Sequence, residues 1–211
     1  MGLLLGSERK FFERGINLKI SKKVKVSIIL TVIALGLCSF GAIIHTAGAT
    51  SSGIFGYSSI GSNVIGTGGV AAKTGGYFQL TTAGTVTKIT AYIRGYGNAK
   101  AAIYSDSNGQ PNLPIGGATQ QTSVPATAAW IDFTYNNPVS LQPGYYWLTL
   151  IYDSGCNWYF NTGGASAWKG ITYSNEPVSP FGSHTDRTDA ISIYATYTTD
   201  SSSTGDRKSV V

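Results

Sequence analysis

Charge is scarce in this chain: Asp, Glu, Lys and Arg make up 12% of its 211 residues, and there is one methionine. Coiled coils, helical bundles and charged disordered segments are built from more of both, so these classes are excluded. Cysteine is nearly absent, with Cys38 and Cys156 the only two. Cys38 lies in an apolar N-terminal run, which leaves Cys156 alone in the region expected to fold. No disulfide can close there and no cysteine-based metal site can form, so stability must come from packing and hydrogen bonds. His184 is the only histidine after residue 49, and no G-x-S-x-G elbow occurs. A zinc site or a Ser-His-Asp triad therefore has little to be built from. In GSHTDRTD, His184 is expected to be a solvent-exposed loop residue. No N-x-Ser/Thr sequon and no internal repeat are present.

What the chain does have is apolar residues (42%), 27 glycines and 13 tyrosines, enough for one packed domain with extensions. Its formal charge of +5 is unevenly placed. Seven basic and two acidic residues precede residue 50, whereas six basic and seven acidic residues lie between 50 and 205. A phosphate backbone needs several Lys or Arg on one face, so nucleic acid is not an expected partner.

The N-terminal excess has a transport reading. Lys19, Lys22, Lys23 and Lys25 precede the uncharged run VSIILTVIALGLCSFGAII at residues 26–44, followed by His45-Thr46-Ala47-Gly48-Ala49. A basic region, an apolar region and small residues before a cut after Ala49 form a secretory signal. The alternative is an uncleaved single-span helix, because the run is long enough to cross a hydrocarbon core. The only membrane contact expected is through this segment, if it is uncleaved. Either way, residues 50 onward are expected outside the cytoplasm, extracellular or at the cell surface. The run is not read as a lipoprotein box, which requires a small residue where Leu37 stands before Cys38.

At the other end, residues 199–205 read as a flexible linker. Residues 206–211 (DRKSVV) depart from the preceding composition and can be encoded by a common sequencing-adapter sequence. They are expected to be read-through and take no part in the fold.

Between these ends the pattern is that of short strands. Residues 50–74 are expected to form an irregular first strand and loop, and 75–198 the domain proper. Residues 76–82 form a strand. Residues 86–94 alternate Ile89, Ala91 and Ile93 against Lys88, Thr90, Tyr92 and Arg94, and with residues 100–105 they read as a hairpin across Gly95-Tyr96-Gly97-Asn98. A weaker strand is expected at 118–124. Ile131, Phe133 and Tyr135 alternate with Trp130, Asp132 and Thr134. YYWLTLIY at 145–152 is apolar on both faces, as a central strand is. Residues 157–161 are expected to pair with it, and 191–197 close the set. The pattern implies an all-β, antiparallel two-sheet sandwich of jelly-roll type.

The runs TVTKITAYIRG, AAIYSDSNGQPN, a Trp-led strand ending in Asn137-Pro138-Val139, LQPGYYWLTL and ISIYATYT span about 120 residues. Together they resemble the β-sandwich domains of choice-of-anchor type and related carbohydrate-binding-module-like jelly rolls of prokaryotic surface proteins. The resemblance implies extracellular binding or adhesion and supplies no catalytic residue.

Sugar rings present an apolar C–H face, which sites stack on Trp or Tyr and orient with polar side chains. Trp147 is expected in the core. Trp158 and Tyr159, with Trp168 and Tyr173 in the Gly/Ser-rich stretch GGASAWKGITYSNEP, are the candidate aromatic platform, with Asn161, Asn175, Lys169 and Glu176 as polar tips. Rings that merely cap the open end of the domain are the alternative. Asp106-Ser107-Asn108-Gly109 begins like a calcium loop, with Asp106 and Asn108 as oxygen donors and Asp186 and Asp189 as further ones. An Asx-stabilised hairpin turn explains the same residues. Beyond calcium no cofactor is expected. Paired carboxylates for glycoside hydrolysis would need two acids facing one cleft, and Asp132 beside Trp130 is the most suggestive. The expectation is a secreted, non-catalytic module binding polysaccharide or cell-surface glycan. Its alternatives are a structural surface-layer, filament or virion-like protein, and an accessory domain of a truncated extracellular hydrolase.

Overall fold

A computed structural model describes residues 50–200. The signal or anchor segment at 1–49 and the adapter-like tail lie outside the described residues, as do positions 201–205 of the expected linker. Among the described residues there are twelve strands and one 3-10 turn, Tyr173–Asn175, and no helix is long and apolar enough to cross a membrane. The strands are β1 (Thr50–Gly56), β2 (Asn63–Gly66), β3 (Ala72–Leu80), β4 (Gly84–Arg94), β5 (Asn98–Asp106), β6 (Pro111–Ala118), β7 (Thr122–Ser123), β8 (Ala129–Leu141), β9 (Gly144–Tyr152), β10 (Asn157–Gly170), β11 (Thr185–Ile191) and β12 (Ile193–Asp200).

Every ladder is antiparallel, and the twelve strands form one hydrogen-bonded network. Two runs can be traced through it. In one, β4 lies between β12 and β8, with β1 beyond β12. In the other, β9 lies between β3 and β5, with β6 at the far side of β5. β10 joins them, meeting β2 and the end of β4 through its first residues, β3 through its last, and β11 along its length.

The alternation decides what is buried. Ile89, Ala91 and Ile93 of β4, Phe133 and Tyr135 of β8, Leu148 and Leu150 of β9 and Ala101 and Ile103 of β5 belong to one buried cluster. The other face of β5 and β9 is buried too, in a second cluster of Ala102, Tyr104, Trp147, Ile151, Ala167 and Phe181. That double burial is why β9 is apolar on both faces, and Trp147 is core as expected. Cys156 is buried as well, and burial first, then the charge of Asp153, pushes its thiol up to about 12, so it is a structural residue and not a nucleophile.

Several expected pairings are not formed. β4 and β5 do not make a hairpin: β4 pairs with β8, β10 and β12, and β5 with β6, β7 and β9. Their apolar faces meet in the same core without lying side by side, and Gly95 (φ 146) and Gly97 (φ 84) turn the chain between them. β10 does not pair with β9 but with β2, β3, β4 and β11. Of the strand expected at 118–124 only the two-residue β7 forms, paired with the start of β5, and the longer strand β6 precedes it. The two prolines of β6 are tolerated because β6 ends the path of strands, and Gly116 (φ 71) and Gly117 (φ 75) form the register shift opposite Ala102 and Ile103. The first half of the Gly/Ser-rich stretch GGASAWKGITYSNEP is strand: β10 continues through it to Gly170, with a register shift between Thr162 and Ser166. The first strand is regular, and the last runs to Asp200, two residues into the expected linker.

Candidate functional site

Residue parity on β10 and β11 builds the site. Trp168 lies opposite Thr185, and Ser166 opposite Arg187, so Trp168 and Arg187 fall on the same face of neighbouring strands. Ten residues earlier on β10, Trp158 lies opposite Ile65 of β2. The chain leaving β2 then folds over with Thr67 and Val70. Ile65, Gly66, Thr67, Val70, Trp158, Trp168 and Arg187 together line a cleft of about 240 Å³. Both candidate tryptophans are thus brought together, though differently from expectation. Trp158 is only 2% exposed and stacks on Tyr152, centroids 5.6 Å apart, so it is a wall of the cleft and not a loop platform. Trp168 is half-buried on a strand.

The polar chemistry of the cleft is one-sided. Arg187 donates from Nε to Asp189 Oδ2 at 2.6 Å, and that carboxylate is buried. Trp158 Nε1 and Thr67 Oγ1 are buried without a hydrogen-bond partner. An unsatisfied buried donor costs roughly 1–3 kcal/mol, so such atoms call for a partner.

The remaining candidates lie elsewhere. Lys169, Asn175 and Glu176 line a shallow groove of about 500 Å³, which shares Val70 with the cleft. Asn175 is exposed there, and Lys169 donates to the Phe181 carbonyl at 3.1 Å. Glu176 is not an exposed tip: it is buried and paired with the fully buried Lys73 at 2.9 Å. Tyr104 O–H (3.3 Å) and Val178 N–H (3.0 Å) donate to the same Oε2. Tyr173 donates to Gln121 at 2.9 Å beneath Lys100, and burial, then the charge of Asp153, pushes its hydroxyl up to about 12. Asn161 pins the β1–β2 connection: its amide donates to Tyr57, and its carbonyl accepts from Ser62 N–H and O–H at 2.9 Å.

Asp106 and Asn108 form the β5–β6 turn. Asn108 (φ 56) and Gly109 (φ 76) are the two central residues, as a type I′ hairpin requires. Asp106 accepts from Gly109 N–H at 3.2 Å and from Trp147 Nε1–H at 3.1 Å. Asp186 does lie near this turn, 3.2 Å from His184 Nε2, which in turn is 2.6 Å from Gln110; Asp189 is with Arg187 instead. No group of three or more metal-ligating side chains occurs among the described residues. His184 is 12% exposed in its side chain and packs edge-on against Phe181, so it is not the exposed loop residue expected. Asp132 accepts from Lys88 Nζ at 2.6 Å and Thr90 Oγ1 at 2.7 Å. Burial raises its carboxyl, but those two hydrogen bonds and the lysine charge outweigh it and hold the group below its ordinary value.

Two features escaped the sequence reading. One is Arg187, whose place beside Trp168 was available only from the alternation Thr185, Arg187, Asp189 on β11. The other is a row of half-buried rings, Tyr159, Tyr92, Trp130 and Tyr194, each 4.9–5.3 Å from the next and edge-on. Tyr159 belongs to this row and not to the cleft. No family model, curated protein or solved structure matches the chain, so function is read from these residues themselves.

Proposed function

We propose that this chain is an exported, non-catalytic β-sandwich module that binds saccharides in the cleft between Trp158, Trp168 and Arg187. The sandwich reading is supported by the single main core, which draws on Ile89 and Phe133 from one strand run and on Ile103 and Leu148 from the other. Export is supported by the basic-then-apolar N-terminus. One observation carries the binding role: two indoles and a guanidinium line one small concavity, and two of its lining residues, Trp158 and Thr67, hold buried polar atoms without protein partners. An indole face fits the C–H face of a sugar ring, while the N–H donors fix its oxygens.

The test is affinity electrophoresis or pull-down of the full chain on a panel of neutral and acidic polysaccharides. Trp168→Ala is expected to weaken binding about tenfold or more, a loss of roughly 1.4 kcal/mol. Retained binding in a folded Trp168→Ala protein contradicts the assignment.

The ring row Tyr159–Tyr92–Trp130–Tyr194 favours a second reading, assembly through that face in a surface layer or filament. Concentration-dependent association, abolished by Trp130→Ala and indifferent to sugars, distinguishes it.

A further inference from the structure

The balance of donors and acceptors around the cleft says more than that it is aromatic. We infer that its ligand is an anionic saccharide, with a carboxylate or sulfate against Arg187 and a sugar ring against Trp168. This rests on the saccharide reading above and narrows it.

Indole N–H and guanidinium groups can only donate. The cleft holds two indoles and Arg187, and neither a carboxylate nor a side-chain amide lines it. A neutral sugar offers hydroxyls, which must donate as well as accept, and here they would find few side-chain acceptors. An oxyanion offers acceptors alone. It matches the guanidinium and indole donors, and the same wall holds the buried Trp158 Nε1 and the buried Thr67 hydroxyl, neither with a protein partner. Arg187 is held in place for this task, because Asp189 takes its Nε–H at 2.6 Å from a buried position. Its Nη amines have no protein acceptor among the described residues, and a planar pair of such donors fits a carboxylate or sulfate with two parallel hydrogen bonds. Asp189 is therefore a positioning residue. The adjoining groove continues the sign of charge. Lys169 lines it, and its one carboxylate, Glu176, is already matched by Lys73. A chain of acidic residues passing over Val70 would meet no unpaired negative charge on either side.

The experiment is calorimetric titration of the full chain with three probes: an oligogalacturonate, a sulfated galactan oligosaccharide and a neutral galactan oligosaccharide. The expected result is at least about tenfold tighter binding of one or both acidic probes than of the neutral one, weakened by added salt. The tighter of the two acidic probes tells carboxylate from sulfate. Arg187→Gln is expected to remove the preference. Arg187→Lys, which keeps the charge but loses the paired donors, is expected to restore part of it, and serves if the glutamine variant does not fold. Equal binding of all three probes, unchanged by Arg187→Gln, overturns the anionic assignment and leaves the saccharide reading intact. No binding of any probe by folded protein overturns both.

Discussion

Replacing Glu176 with leucine is expected to lower the unfolding free energy by about 3–5 kcal/mol, because it strands a buried ammonium. Lys73 is fully buried, its Nζ lies 4.0 Å from the centre of the Phe181 ring, and its ion-pair partner is Glu176 at 2.9 Å. Burial lowers the lysine's pKa, and the hydrogen bond and charge of Glu176 recover only part of that shift. Burial and then the Glu176 charge raise the Tyr104 hydroxyl far above its usual range, so it remains a donor to Oε2. With the carboxylate gone, the amine must either stay charged among aromatic rings or give up its proton, and both are costly. The pair itself need not be stabilising: desolvating two ions offsets most of their attraction. The double variant Lys73→Met with Glu176→Leu should therefore recover most of the loss. Guanidinium denaturation of the three proteins checks this. A single-variant loss under about 1 kcal/mol would contradict a sealed ion pair.

Truncating Trp158 to alanine is the second large effect, also about 3–5 kcal/mol, the ordinary cost of emptying an indole from a core. Its ring stacks on Tyr152 at 5.6 Å and belongs to the main buried cluster. This residue must be separated from Trp168, whose partial exposure makes it a contact surface first. Trp158→Phe provides the separation. Phenylalanine keeps much of the packing volume and removes the N–H that lacks a partner. The ligand-free protein should lose about 1 kcal/mol or less, typical of a modest core repacking, while saccharide binding falls because one donor to the ligand is gone. Denaturation midpoints and binding constants for both variants are the readouts. Binding unchanged in Trp158→Phe would show that its nitrogen serves no ligand.

Alternation made the strands legible but not their partners. The period of two in β4, β8 and β12 says which side chains face the core, and the doubly apolar β9 says that both of its faces are covered. Neither fact says whether β4 lies beside β5 or across the core from it, since Ile89 and Ile103 are buried in the same cluster in either arrangement. Composition also hid two elements. PNLPIGGA, as β6, and GGASAW, within β10, are strands whose small or kinked residues show no alternation; the first is held by the preceding β5 across a tight turn, the second by β3 and β11.

The site was half legible for the same reason. Trp158 and Trp168 are conspicuous as residue types, and they do share a cleft. Arg187 is 19 positions beyond Trp168 and became its neighbour only because β11 pairs with β10. Glu176 looked like a loop acid between Asn175 and Pro177, because nothing local shows that its segment folds back onto Lys73.

The proposed saccharide site is tested most directly by following the four indole N–H resonances of the tryptophans during titration with an acidic oligosaccharide. Trp158 and Trp168 should shift together and saturate, while Trp147, tied to Asp106, and Trp130, in the ring row, stay in place. Shifts confined to Trp130, or no shift in any of the four, would contradict the assignment.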